Sequence, residues 1–211
     1  MLKIKIKKPI MCKKSKTYQA CSDENSELDI LFGVINRFIG YFTRDSIKKT
    51  KNDTKIEYPF VPMDTRQAYQ QIIIAKQYLD SKTEQEKAPK FIDIGCGIGQ
   101  IVLIAEMAGF DAHGIEKDPY PCEIAQRLIG ADKILLEDIW EFNEYNKFDV
   151  IYYFRPFSIK ELQSKFEKMI EDKIKVGGII IGNRRLSNSI EKDERFRKLN
   201  SNWPVWEKIT H

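Results

Sequence analysis

The apolar positions of the chain keep one rhythm before about residue 90 and another after it. In the first stretch Leu28, Leu31, Ile35, Phe38, Ile39 and Phe42 recur at helical spacing and give one apolar face, with Ser22 or Asp23 ahead of them as a cap. The segment TRDSIKKTKNDTKIEY, 43–58, is polar, lysine-rich and aperiodic, and reads as a linker or mobile loop. PFVPMD then introduces a second helix, expected from about Thr65 to Leu79, with Ala68, Ile72, Ala75 and Leu79 turned inward.

From Lys90 onward short apolar runs alternate with helical segments. FIDI, AHGIE, KILLE, FDVIYYF and VGGIIIGN read as five strands, with helices in IGQIVLIAEMAGF (closed by Gly109) and PYPCEIAQRLIG (closed by Gly130). A third helix is expected to open on a capping box, Ser158 to Glu161, and to run through Met169. A helix around Ile190 to Leu199 and a last strand, VWEKIT, complete the pattern, which leaves open whether a seventh strand exists. The alternation implies an α/β fold: a doubly wound, mostly parallel sheet with an N-terminal helical extension and a ligand site at the carboxyl ends of the strands. The expected division is 1–60, a basic segment and helix that could serve as a lid, and 61–211, the ligand-binding domain.

Composition narrows the class only slightly. The chain has 211 residues, 42% of them hydrophobic and 31% charged, with a net charge of +4, which demands neither a nucleic acid nor a membrane as partner. Cys12, Cys21, Cys96 and Cys122 lack paired spacing and there are two histidines, which argues against a metal site or a disulfide framework and for a reducing cytosol. The run 28–42 carries Arg37 and as a helix would be about 22 Å long against roughly 30 Å of bilayer hydrocarbon, so it is expected in a core rather than a membrane. Lys3, Lys5, Lys7, Lys8, Lys13, Lys14 and Lys16 could steer an anionic partner, although such runs are more often solvated tails.

The chemistry concentrates in FIDIGCGIGQ, 91–100, where a strand breaks into glycines spaced G-x-G-x-G. A phosphate-cradling loop would need Lys and Ser or Thr after its last glycine, but Gln100, Ile101 and Val102 follow. A dinucleotide fingerprint would need its third glycine at position 100; Gly99 comes one residue early, which argues against a nicotinamide-dependent oxidoreductase. Asp93, two residues before Gly95, is badly placed for a pyrophosphate and well placed for an ammonium group. Glu116, about 20 residues on, stands where a ribose-binding acid ends the second strand, and Glu137 and Asp138 end the third.

With these residues the sequence resembles the class I S-adenosylmethionine-dependent methyltransferases over roughly residues 60 to 185, a family with a Rossmann-like fold. The resemblance implies that Asp93 and the backbone of Gly95, Cys96, Gly97 and Gly99 hold the methionine part of S-adenosylmethionine. By the same likeness Glu116 takes the ribose hydroxyls, Asp138 the adenine amino group and Ile139 the adenine face or ring nitrogen, with Lys117 beside the ring. PFVPMDTRQAYQQII, GIGQ and GIEKDP are further similar to the branch of the disruptor-of-telomeric-silencing type lysine methyltransferases and their small prokaryotic and mitochondrial relatives. In that branch Thr65 and Gln100 would contact the methionine end.

The departure lies at YYFRPF, 152–157, which has neither the asparagines of that histone-directed branch nor the [DNS]-P-P-[YF] signature of base and amide methylation. Phe154 offers an exocyclic amine no acceptor, which disfavours nucleic acid as the acceptor. Tyr153 is the expected proton acceptor, with Tyr152 as alternate, and Arg155 would either bind an acidic substrate group or pair with a surface acid. The expected activity is methyl transfer to a protein lysine or a small or saccharide-like molecule; a non-catalytic module that binds S-adenosylmethionine is the competing reading.

Overall fold

The computed structural model describes residues 20–82 and 87–211, with side chains from Glu27 onward. The basic run between Lys3 and Lys16 and the side chains of Cys12, Cys21, Ser22 and Asp23 lie outside the described residues.

Seven strands form one sheet: β1 (Lys90–Ile94), β2 (Asp111–Glu116), β3 (Ile134–Leu136), β4 (Val150–Phe154), β5 (Ile179–Asn183), β6 (Phe196–Lys198) and β7 (Val205–Lys208). Their order is β3-β2-β1-β4-β5-β7-β6. Strands β1 to β5 are parallel, whereas β7 runs antiparallel to both β5 and β6, so the seventh strand is present. The crossovers through α3 (Gln100–Met107) and α4 (Pro119–Ile129) step outward from β1 to β3; the crossover through α5 (Lys160–Lys173) steps the other way, from β4 to β5. The direction of winding therefore reverses between β1 and β4, where the loops after the strands part and leave room for a ligand.

Alternation along the strands divides the apolar residues between two cores. Phe91, Tyr152, Ile179, Ile181 and Val205 face the layer built by α1 (Ala20–Lys49), α2 (Thr65–Lys82), α3 and α4. Ile92, Ile94, Ile151, Tyr153, Ile180 and Trp206 face α5 and the loop that carries Phe142, Tyr145 and Phe148. Two polar anchors close this frame. The Lys208 ammonium donates to the carbonyls of Glu171, Asp172 and Ile174 at 2.9, 3.0 and 3.0 Å, satisfying the open carbonyl end of α5. Glu207 accepts from Tyr78 and Lys82 of α2 and from Arg197 of β6, tying the helix layer to the antiparallel edge.

Three expected boundaries are corrected. Helix α1 begins at Ala20 and continues to Lys49, so Ser22 and Asp23 lie within it and the polar residues 43–49 are its last turns. Thr43 donates back to the Ile39 carbonyl at 2.7 Å and Ser46 is fully buried, so small polar residues continue the inner face where the apolar pattern stops. The capping box does not form: Ser158 donates its hydroxyl to the Lys55 carbonyl at 2.9 Å, and α5 starts at Lys160 with no side-chain cap and runs to Lys173. The segment expected as a helix around Ile190 to Leu199 is a 3-10 turn, Ser189–Glu191, followed by β6. Its two buried apolar residues, Ile190 and Phe196, stand six apart and cannot share one helical face, whereas Phe196 pairs with Lys208 across the edge.

Phe166 is fully buried and meets Tyr153, Trp140 and Phe157 at ring-centroid distances of 5.1, 6.3 and 5.8 Å. Phe166→Ala should lower the unfolding free energy by about 3–5 kcal/mol with an unchanged denaturant slope, read from urea titrations.

Candidate functional site

A cleft of about 430 Å³ opens at the reversal point, a volume typical of small-molecule sites. Its floor is Ile94, Gly95, Glu116 and Ile139 at the ends of β1, β2 and β3, and its far wall is Phe154, Arg155 and Arg184 after β4 and β5. Its roof is the segment 52–62, which no local sequence pattern places there. This strap is sewn down at both ends: Lys51 N–H donates to Asp118, and Tyr58 N–H and Ser158 N–H exchange bonds with the Pro156 and Ile56 carbonyls at 3.1 and 2.9 Å.

The glycine turn is held by the amides of Gly95 and Cys96, which both donate to the Ile115 carbonyl at 2.9 and 3.0 Å. Gly99, at φ +84°, opens α3 and lies against Ala125 of α4. At Gly97, with φ +55°, a Cβ would stand 2.1 Å from Cδ2 of Phe60, so only a bare backbone lets the strap aromatic lie on the turn.

The acids form an uneven set. Glu116 is 8% exposed and accepts from Gly97 N–H at 2.9 Å and Asp118 N–H at 2.8 Å, one on each oxygen. Burial nevertheless raises its carboxyl to about 7, against the pull of these amides. Asp93 is 3% exposed and, among the described residues, accepts no hydrogen bond; burial first and the Glu116 charge second push its carboxyl well above the usual carboxylate range. Cys96 is buried beside both acids, and its thiol is pushed up chiefly by burial, so it is not a ready thiolate. Asp138 accepts from Trp140 N–H at 2.9 Å and pairs at 3.4 Å with Lys117, which also pairs with Glu57 of the strap.

Gly95, Glu116, Lys117, Ile139 and Arg155 line the cleft; Asp93, Cys96, Gly97, Gly99 and Asp138 are not among its lining residues, although Asp138 pairs with Lys117. Thr65 and Gln100 come together behind the glycine turn: Gln100 donates to Thr65 Oγ1 at 3.0 Å and to the Met63 carbonyl at 2.8 Å, and Thr65 donates to Asn36 at 2.6 Å. Tyr153, expected as the proton acceptor, does not reach the cleft. It is fully buried on the α5 face, its hydroxyl takes a hydrogen bond from Arg185 at 2.5 Å, and burial raises its phenol further from any proton-accepting role. Tyr152 points to the opposite core and is equally buried. Alternation sent both phenols into packing because both faces of this central strand are covered.

No family model matches the sequence. The chain is similar to the lysine N-methyltransferases of Rattus norvegicus and Homo sapiens that are named for a subunit of ATP synthase, at 28% identity over 128 and 130 residues. These alignments cover 58% of this chain and 55% and 51% of those proteins, so the chain spans about half the length of the curated relatives it matches. Among solved structures, the T. thermophilus 16S rRNA N2 G1207 methyltransferase in complex with AdoMet and guanosine superposes with a TM-score of 0.51 at 21% identity, covering 73% of this chain and 45% of that one. The fold is that of the class I S-adenosylmethionine-dependent methyltransferases.

Gly97→Ala should destabilise the protein and displace Phe60, and in a double-mutant cycle with Phe60→Ala the two changes should be non-additive by about 0.5–3 kcal/mol, measured by denaturant unfolding. Additive effects would show that the ring does not rest on the turn.

Proposed function

We propose that the chain is an S-adenosylmethionine-dependent methyltransferase acting on a protein lysine or a small, saccharide-like acceptor. The observation that carries this reading is Asp93, a buried carboxylate without a donor at the base of a glycine turn. An unpaired buried acid is costly, and a ligand ammonium offsets that cost where a pyrophosphate would add to it. Glu116 supports the nucleoside half: a carboxylate offers about four lone-pair sites, and two amides leave two for ribose hydroxyls.

In this reading the backbone of Gly95, Cys96, Gly97 and Gly99 takes the methionine moiety with Asp93, and Thr65 and Gln100 fix its end. Asp138 accepts from the adenine amino group, Ile139 covers the ring and Lys117 packs beside it. The bound donor supplies an electrophilic methyl on a sulfonium, and the protein's part is to hold the acceptor in line at near-attack distance. Phe60 and the strap 52–62, which spans the boundary expected at residue 60, cover the turn and exclude water. Exocyclic base amines remain disfavoured, since Phe154 and Arg155 put no acceptor oxygen at the end of β4. The lysine reading draws on the relatives' activity. We place the protein in the cytosol because its described cysteines, Cys96 and Cys122, are buried free thiols; no described helix is long and apolar enough to cross a membrane.

Calorimetry should show binding of S-adenosylmethionine and S-adenosylhomocysteine and none of NAD, with affinity reduced at least about tenfold by Asp93→Asn. Labelled donor with cell extract should then label a protein or small-molecule fraction; cofactor binding without any transfer would instead support the non-catalytic module.

Affinity should also depend on pH. Below about 7 Glu116 is protonated and loses acceptor sites, so affinity for S-adenosylhomocysteine should rise as pH passes through about 7, and Glu116→Gln should remove that part of the rise and leave the part owed to Asp93. The unliganded protein behaves oppositely: the folded state binds the Glu116 proton more tightly than the unfolded chain between 4.5 and about 7, so stability falls as pH rises through that window. Parallel titrations of binding and of thermal unfolding against pH check both signs.

A further inference from the structure

Three cations line the cleft: Lys117, Arg155 and Arg184. Lys117 is paired with Glu57 and Asp138. Neither arginine forms an ion pair or a side-chain hydrogen bond among the described residues, although carboxylates line the same cleft. Those carboxylates have other partners: Glu57 pairs with Lys117, Glu116 accepts two amides, and Asp118 accepts the Lys51 amide on one oxygen while its other oxygen is buried without a donor.

The chain around each arginine is fixed while the guanidinium is left open. Arg184 lies between Asn183, which exchanges two hydrogen bonds of 2.9 Å with Gln71, and Arg185, which is buried against Tyr153 and Glu171. Its own side chain is exposed and rests 5.7 Å from the Phe154 ring centroid. Arg155 rests 5.5 Å from the Tyr58 ring centroid, and its Nε is buried with no acceptor, a donor that ordinarily finds a partner. Both residues adopt left-handed backbone conformations without being glycine, at φ +32° and +53°, a strain that clusters at ligand sites. Phe154 and Asn183 are register partners on neighbouring parallel strands, about 4.8 Å apart at the backbone, and each is followed directly by one of the two arginines.

We infer that Arg155 and Arg184 form a two-pronged subsite for an oxyanion, a carboxylate or phosphate carried by the methyl acceptor; this rests on the methyltransferase reading above. Two cations lining one cleft would repel a cationic donor bound there unless an anion lay between them. An acceptor bearing such a group both relieves the repulsion and is aligned by planar, charge-assisted contacts.

The protein saturated with S-adenosylhomocysteine is titrated with inorganic phosphate and, separately, acetate at fixed ionic strength, following the arginine Nε–H resonances by NMR. One or both probes should bind at millimolar concentration and shift the Arg155 Nε–H signal, and Arg184→Gln should weaken that binding about tenfold. Arg155→Gln should do the same, and S-adenosylhomocysteine affinity should stay within about twofold in both variants. Because Arg184 is exposed and unpaired, its variant folds and decides the matter even if Arg155→Gln does not. The stronger probe identifies phosphate or carboxylate as the recognised group. If the wild type binds S-adenosylhomocysteine but neither probe, or if Arg184→Gln binds them equally well, the subsite is overturned while the donor site stands. Failure to bind S-adenosylhomocysteine at all would instead overturn the methyltransferase reading.

Discussion

Glu116 joins two turns that would otherwise be independent. One oxygen receives the amide of Gly97 in the glycine turn, and the other receives the amide of Asp118, which leads into α4. The glycine turn after β1 and the turn after β2 are thereby referenced to a single carboxylate, and adjacent parallel strands bring them to the same edge of the sheet. The arrangement is expensive for an isolated protein, since Asp93 and Glu116 are both buried and the Glu116 charge adds to the reluctance of Asp93 to ionise. Such a pair is retained where a ligand repays the cost, which is why the acids say more about purpose than the layered fold does.

The strap is the second constraint. It belongs to the N-terminal part of the chain, yet it is stitched to the turn after β4 and to Asp118 before α4. The ion pairs of Lys117 with Glu57 and Asp138 join it to the acids at the ends of β2 and β3.

Much of this architecture was legible in the sequence because its signals are local. Five parallel strands, their crossover helices and the acid-flanked glycine turn each depend on residues within about a dozen positions of one another. The N-cap at Asp64, whose carboxylate accepts the Gln67 amide at 2.7 Å, is of the same kind. What escaped was long-range. Ser158 has the form of a cap but finds the Lys55 carbonyl, a partner more than a hundred residues away. Tyr153 has the right position for the site and the wrong side of the strand, because alternation says that neighbours diverge but not that both faces are covered. Arg184 follows the end of β5 just as Arg155 follows β4, but the pairing of the two arginines becomes visible only once β4 and β5 are known to be neighbours.

Phe60 and Gly97 occupy a single volume shared between a distant strap and a tight turn of the domain. Sequence variation at one should therefore be legible at the other. A side chain at position 97 and an aromatic ring at position 60 exclude one another although 37 residues separate them, so the tight turn and the strap cannot be altered independently at these two places.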